Sequence, residues 1–286
     1  MGNSKMNAYP PALSPDLKKL YHNLEQHYLW INKELTAEGY KPDDLGYSRP
    51  PFISKKNNNP VEESFVSLKQ ISLPETIASS LFKEICHDFA QVLDKGDAEQ
   101  LQIFSKKVSA GEISFAHLLE IYSGKKDLKV AKAHSLKEEL FAQVMLFTLR
   151  PFISWIRDNI KGFTNFKESW QQNTCPLCGA IPELARLTPE QGKRLLFCWL
   201  CGTEWRFNRF TCLYCQENLA EGQSYFAVKD TPYRVDICDN CNHYLKVIDQ
   251  RQIPEKQAGP LTWLENDLGT LHLDKLAEKE GYKRNY

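Results

Sequence analysis

CPLCG (175–179), CWLCG (198–202), CLYC (212–215) and CDNC (238–241) decide how this chain is read. They hold eight of its nine cysteines, all paired at one spacing. A Cys-x-x-Cys turn lets two thiolates converge on one ion, and two such turns supply the four soft ligands of a closed tetrahedral site. Nineteen residues separate Cys178 from Cys198, and twenty-two separate Cys215 from Cys238. Both gaps suit a pair of knuckles that fold back through a β-hairpin to share a metal. Only ten residues lie between Cys201 and Cys212, which reads as the link from one ribbon to the next. Two metal sites follow, Cys175/Cys178/Cys198/Cys201 and Cys212/Cys215/Cys238/Cys241, in a tandem repeat of one small unit. Thr174 and Thr211 precede the first knuckle of each unit, and Phe197 and Ile237 precede the second. Gly179, Gly202 and Asn242 follow their knuckles, where a left-handed backbone is needed. Disulfides or redox thiols are one alternative, disfavoured in a chain with no secretory signal. A cross-braced pairing, first knuckle with third and second with fourth, is another.

Working outward, 286 residues are enough for two domains, and 36 Lys and Arg balance 36 Asp and Glu. Metal held by deprotonated thiols would make the protein mildly acidic, which argues against a general affinity for nucleic-acid backbone. No apolar run approaches a membrane span; Leu140 to Ile156 is interrupted by Gln143, Arg150 and Pro151 and reads as a buried helix. The N-terminus has no apolar signal region, and Met6 stands where a myristoylation signal requires Ser or Thr. A reduced, cytoplasmic setting is the expectation.

Residues 1–165 read as an all-α domain. After a flexible start with Pro10 and Pro11, Ser14-Pro15 opens a helix in which Leu17, Leu20, Tyr21, Leu24, Tyr28, Ile31 and Leu35 recur at helical spacing until Gly39. Pro and Asn over 41–63 predict a loop. A second helix runs from Pro74 through Ile77, Leu81, Ile85, Phe89 and Leu93 to Gly96, with Cys86 as a small buried side chain. Shorter helices are expected over 97–109 and 113–123. A long one is expected over 126–160, kinked or broken at Arg150-Pro151. Nothing in 1–165 resembles a phosphate loop, a nucleophile–base pair or a metal cluster. The segments between the knuckles read as strands, rich in aromatic residues that build small cores. Arg194, Arg206 and Arg209 are read as offsetting thiolate charge or contacting a partner, offsetting being the less demanding reading. A last helix is expected from Pro260 through Leu264, Leu268, Leu271, Leu276 and Ala277 to Gly281. The fold class is α+β: a helical domain (1–165), a first four-Cys ribbon (166–210), and a second ribbon with a C-terminal helix (211–286).

These motifs resemble the FdhE family, the formate dehydrogenase accessory proteins. The resemblance is carried by CPLCG, by LLFCWLCGTEW (195–205), by RFTCLYC (209–215), by RVDICDNCNHYLK (234–246) and by LDKLAEKEGY (273–282), with Leu149-Arg-Pro-Phe fitting in the helical half. It implies a non-enzymatic cytoplasmic protein needed to form active respiratory formate dehydrogenase, which binds the catalytic subunit of that dehydrogenase. It also implies rubredoxin-like sites holding two iron ions, with zinc as the alternative metal. All eight cysteines of the family pattern are present: Cys175, Cys178, Cys198, Cys201, Cys212, Cys215, Cys238 and Cys241.

Three function classes meet this pattern. The first is the assembly factor, whose closed four-ligand sites leave no open position for hydrolytic catalysis. The second is a rubredoxin-like electron-transfer protein, since the same ligands serve a structural and a redox iron. The third is a zinc-ribbon nucleic-acid binder, disfavoured because Lys and Arg in 175–245 are interspersed with Asp and Glu.

Overall fold

The computed structural model describes residues 13–47, 53–56, 59–62, 64–124, 136–161, 163, 170–219, 224–254 and 263–284, with backbone alone for 53–56, 59–62 and 264. The expected flexible start at Pro10 and Pro11, the first part of the long helix (126–135) and the opening at Pro260 lie outside these residues.

Helix α1 spans Pro15–Ala37. The Ser14 hydroxyl accepts the Leu17 N–H at 3.3 Å, satisfying one of the first turn's orphan donors. Gly39, at φ 76°, turns the chain out beyond its end. The expected loop over 41–63 is instead partly ordered: a 3-10 turn at Pro42–Leu45 precedes a hairpin of β1 (Ile53–Lys56) and β2 (Asn59–Glu62). Helix α2 (Glu75–Ala90) ends before Gly96, which falls in the first turn of α3 (Lys95–Ser109). Asp94 caps α3 by accepting the Asp97 N–H at 3.0 Å. Helix α4 (Phe115–Tyr122) has its first donors taken by Ser114 and by Glu75 of α2.

Helix α5 (Glu138–Asn159) runs on through Pro151, so the helix is not broken there. Proline there removes a donor from the helical ladder. The apolar surface on both sides of it (Val144, Met145, Leu149, Phe152, Ile153 and Ile156, none more than 1 % exposed) keeps the helix continuous against that local cost.

The cysteine region builds one sheet rather than two free-standing ribbons. Strands β3 (Leu184–Leu187), β4 (Arg194–Phe197) and β5 (Glu204–Arg206) form one antiparallel meander. Strands β6 (Tyr225–Ala227), β7 (Tyr233–Cys238) and β8 (His243–Asp249) form the other. The meanders fuse where β3 pairs β8 in parallel, Leu184 opposite Lys246 and Leu187 opposite Asp249. The order is β5-β4-β3-β8-β7-β6.

Because side chains alternate across a strand, the central pair buries both faces. Ala185, Leu187, Leu245 and Val247 join the core of the helical half. Leu184, Tyr244 and Ile248 face a second core with Val235, Leu273 and Ala277. The expected single C-terminal helix is two, α6 (Trp263–Leu268) and α7 (Leu271–Lys279), separated at Gly269 and Thr270. In α7, Leu273 and Ala277 turn inward, while Leu271 and Leu276 stay exposed.

Lys246 anchors both of these helices to the sheet. Only 2 % exposed, it pairs with Asp267 of α6 and with Asp274 of α7 at 2.7 Å. Arg284 adds a second cation, 3.4 Å from Asp274 and hydrogen-bonded from Nε to Glu183 at 2.9 Å.

Candidate metal centres

Each knuckle is a tight turn closed by its own backbone. In the first, Cys175 donates its N–H to the Ala180 carbonyl at 2.8 Å, and Gly179 donates to Cys175 at 2.9 Å. Cys198 with Thr203, and Gly202 with Cys198, repeat the pattern at 2.9 Å. The residue after the knuckle then takes φ > 0: Gly179 at 71°, Gly202 at 70°, Asn242 at 55°. Gln216, at φ 60°, fills the same role after Cys215; it carries no local signal for that conformation and was not foreseen.

The turns gather the cysteines as Cys175/Cys178/Cys198/Cys201 and Cys212/Cys215/Cys238/Cys241, each group with all sulfurs within 4.8 Å of one another. In the first group Cys175 and Cys201 are 3.4 Å apart, Cys178 and Cys198 3.4 Å, and Cys178 and Cys201 3.8 Å. In the second, Cys212–Cys241 and Cys215–Cys238 are each 3.7 Å. Four sulfurs at about 2.3 Å from a central ion make a tetrahedron with edges of about 3.8 Å, so both groups fit zinc or iron. A disulfide needs about 2.05 Å, and all nine cysteines are free thiols. Cys86 lies apart in α2, where burial raises its thiol pKa. Among the described residues these are the two groups of potential metal-binding side chains.

The first centre is sealed by the helical half. All four of its cysteines are at most 6 % exposed. Phe65 and Val66 donate their N–H groups to the Pro176 and Leu177 carbonyls at 3.3 and 2.7 Å, stitching the segment before α2 onto the first knuckle. The second knuckle receives α5: Arg150 donates to the Trp199 carbonyl, Ser154 to the Cys201 carbonyl at 3.2 Å, and Arg157 to that same oxygen at 2.5 Å. Arg150 also lies over the Phe197 and Trp199 rings, 5.7 and 5.6 Å from their centroids. Burial lowers its pKa, and the Cys198 and Cys201 sulfurs act in the opposite sense. Burial likewise opposes ionisation of Cys201, but its contacts with Cys175, Cys178, Cys198 and Thr203 outweigh that and hold it well below the ordinary thiol range. Burial and the neighbouring sulfurs push Cys175 and Cys178 the other way, well above that range, so without a cation the cluster favours one thiolate among its four sulfurs.

Arg150, Ser154 and Arg157 were missed in the sequence, where charge compensation was assigned to Arg194, Arg206 and Arg209. Their spacing of four and three on an otherwise apolar helix was the available signal. Arg194 is a buried tie in the link between the centres, donating to the Asn208 and Thr211 carbonyls, and the Cys212 sulfur favours its charge as expected. Arg206 is exposed, and Arg209 donates to the Gly192 carbonyl at 3.3 Å. Of the aromatic residues expected to form small cores, Trp205 and Phe207 do so. Phe210 and Tyr225 stand about half exposed, each with an arginine (Arg209 or Arg234) over one face.

The second centre is open. Cys212 and Cys238 are buried, Cys241 is half-buried and Cys215 is exposed. Cys212 accepts the Tyr214 N–H at 3.4 Å, and Cys215 accepts from the Asn240 side-chain amide at 3.5 Å. The Tyr214 ring lies 4.9 Å from that of His243, whose Nδ1 is 2.8 Å from the Cys241 carbonyl oxygen. No helix among the described residues is long and apolar enough to cross a membrane.

Comparison with known proteins places this geometry. Residues 174–209 match the sequence model of the FdhE central domain, and residues 210–286 match that of the FdhE C-terminal domain. The Protein FdhE homolog of Proteus mirabilis is 24% identical over 288 residues, covering 96% of this chain and 89% of that protein. The Haemophilus ducreyi homolog is 33% identical over 120 residues, 41% of this chain and 38% of that protein. Protein FdhE of Escherichia coli K12 is 34% identical over 120 residues, 40% of this chain and 36% of its own length. These two alignments therefore span little more than a third of those relatives. The crystal structure of the FdhE protein from Pseudomonas aeruginosa shares the fold, with a TM-score of 0.55 at 17% identity over 94% of this chain and 92% of that one.

Proposed function

We propose that this chain acts in forming active formate dehydrogenase, as a cytoplasmic accessory protein that binds the catalytic subunit of that enzyme, because residues 174–209 and 210–286 match the FdhE central and C-terminal domains. The carrying observation is the pair of four-cysteine groups lying within those two domains. In this reading Cys175, Cys178, Cys198 and Cys201 hold one ion, and Cys212, Cys215, Cys238 and Cys241 hold the other. Iron is the expected metal and zinc the alternative. Bound metal supplies cross-links that brace the ends of the sheet, and with iron it also supplies a one-electron couple. The chain's own part is to enclose the first centre with α5 and to present the second.

The protein is not an enzyme in this proposal: four thiolates fill each ion's coordination, and no position is left for substrate. Its working units are the helical domain (1–165), the first ribbon (166–210) and the second ribbon with the C-terminal helices (211–286). The helical domain contributes to docking of the client.

The test combines metal analysis with co-purification. Protein isolated without oxygen should carry about two metal ions per chain and retain the formate dehydrogenase catalytic subunit through purification. Cells lacking the protein should lose formate dehydrogenase activity. Normal activity in those cells, with no complex recovered, would refute the proposal.

A further inference from the structure

The two centres have the same ligands in opposite surroundings. In the first, the residues between the cysteines (Pro176, Leu177, Trp199, Leu200) are apolar, and three of them are fully buried. Backbone and guanidinium donors from the helical half cover both of its knuckles. In the second, Leu213 is buried and Tyr214 half-buried between the first two cysteines, but Asp239 and Asn240 between the other two, and Gln216, Glu217 and Asn242 after them, are all exposed. Cys215 and Cys241 are the two of its cysteines that are not buried, and Cys215, the more exposed, has as its side-chain donor the exposed Asn240. Ligand exchange at a four-thiolate ion requires an incoming group to approach the ion and a thiolate to leave and take up a proton. Only an accessible sulfur allows both steps.

We propose that the second centre is an exchange site, which passes its ion to a competing thiolate ligand, with Cys215 as the leaving group, while the first centre retains its own ion. The incoming thiolate bonds to the ion, the bond from Cys215 breaks, and Cys215 takes a proton from water. The oxidation state of the ion does not change. Asn240 restrains this step, because its amide stabilises Cys215 in the charged form that the ion holds. The inference rests on the ligation proposed above and separates the roles of the two centres.

The experiment uses the full chain loaded with zinc, challenged with the dithiol 2,3-dimercaptopropanesulfonate in the presence of iodoacetamide. Zinc retention is followed by native mass spectrometry, and the alkylated cysteines by peptide mapping. One zinc should leave at least about tenfold faster than the other, with Cys215 alkylated first and Cys212, Cys238 and Cys241 next. Asn240→Ala should speed the fast phase by about tenfold and leave the slow phase alone. Loss of both ions at one rate, or earlier alkylation of Cys175, Cys178, Cys198 and Cys201, would overturn the proposal. A chain that takes up no zinc or iron at all would instead sink the ligation itself, a separate result.

Discussion

Arg157 donates from Nη1 to the Cys201 carbonyl at 2.5 Å and lies so close over Gly202 that a Cβ there would sit 2.7 Å from the same nitrogen. The glycine is thus required twice, for its φ of 70° and for the approach of α5 to the knuckle. Gly202→Ala should destabilise the protein by about 2–4 kcal/mol, combining left-handed strain with loss of the Arg157 hydrogen bond. Gly39→Ala is the control: φ is 76°, but open space surrounds the added methyl, so strain alone of about 1–2 kcal/mol is expected. Denaturant midpoints of the two variants decide between them. Equal losses would show that the Arg157 contact contributes nothing.

Arg150 supports a second prediction. The residue is half-buried, with its guanidinium bonded to the Trp199 carbonyl and laid over two aromatic rings. Arg150→Gln should cost about 2–4 kcal/mol in thermal or chemical unfolding, from a carbonyl left unpaired, lost packing and lost cation–π attraction. Arg150→Lys should recover little of it, because an ammonium cannot stack flat on the rings while reaching that carbonyl. Full rescue by lysine would show that charge alone matters at this position.

The sites were far more legible in the sequence than their setting. The Cys-x-x-Cys turn is a local object, so its spacing, its two glycines and Asn242 declare it without tertiary information. Gln216 escaped because the turn imposes its conformation on a residue with no preference for it. The fusion of two ribbons into one sheet was invisible because it joins β3 to β8 across intervening strands, and parallel pairing leaves no turn signature. Arg186 interrupts β3 and Lys246 interrupts β8, so neither reads as the near-continuous apolar run of a strand buried on two faces. The helical half was legible as helices from periodicity alone. Its role as the cover of the first centre was not, since Val66 and Arg157 meet the knuckles only in three dimensions. Pro151 does not break α5 for a related reason: burial on both sides of it outweighs the local penalty.

The ion cluster under the C-terminal helices gives a third prediction. Lys246→Met removes a cation buried between Asp267 and Asp274, leaving Arg284 as the cation beside that pair and the Tyr244 hydroxyl on Asp274. Breaking a buried network from one side costs about 3–5 kcal/mol, so this variant should melt well below the parent. Adding Asp274→Asn to Lys246→Met should return part of the loss by removing one uncompensated carboxylate. If the double variant proves as unstable as the sum of the single changes, the charges are not coupled.

Acid dependence tests the corner where α1 meets α5. Asp158 is partly desolvated, which opposes its charge, but hydrogen bonds from Arg157 (2.6 Å from Nε to Oδ1) and from the Tyr28 hydroxyl outweigh that and hold its pKa below the ordinary 3.8. A carboxyl whose folded pKa is depressed contributes stability that is fully present above 3.8 and lost as the pH falls through the folded value. The parent should therefore be more stable than Asp158→Asn at pH 6, and the difference should shrink steadily below about pH 4. Both proteins carry the same thiols, so acid release of metal affects them alike and cancels in the comparison. Denaturant titrations of both at pH 6, 5, 4 and 3 make the measurement. A difference that stays constant across the series would mean that Asp158 stabilises the corner by packing and not by its charge.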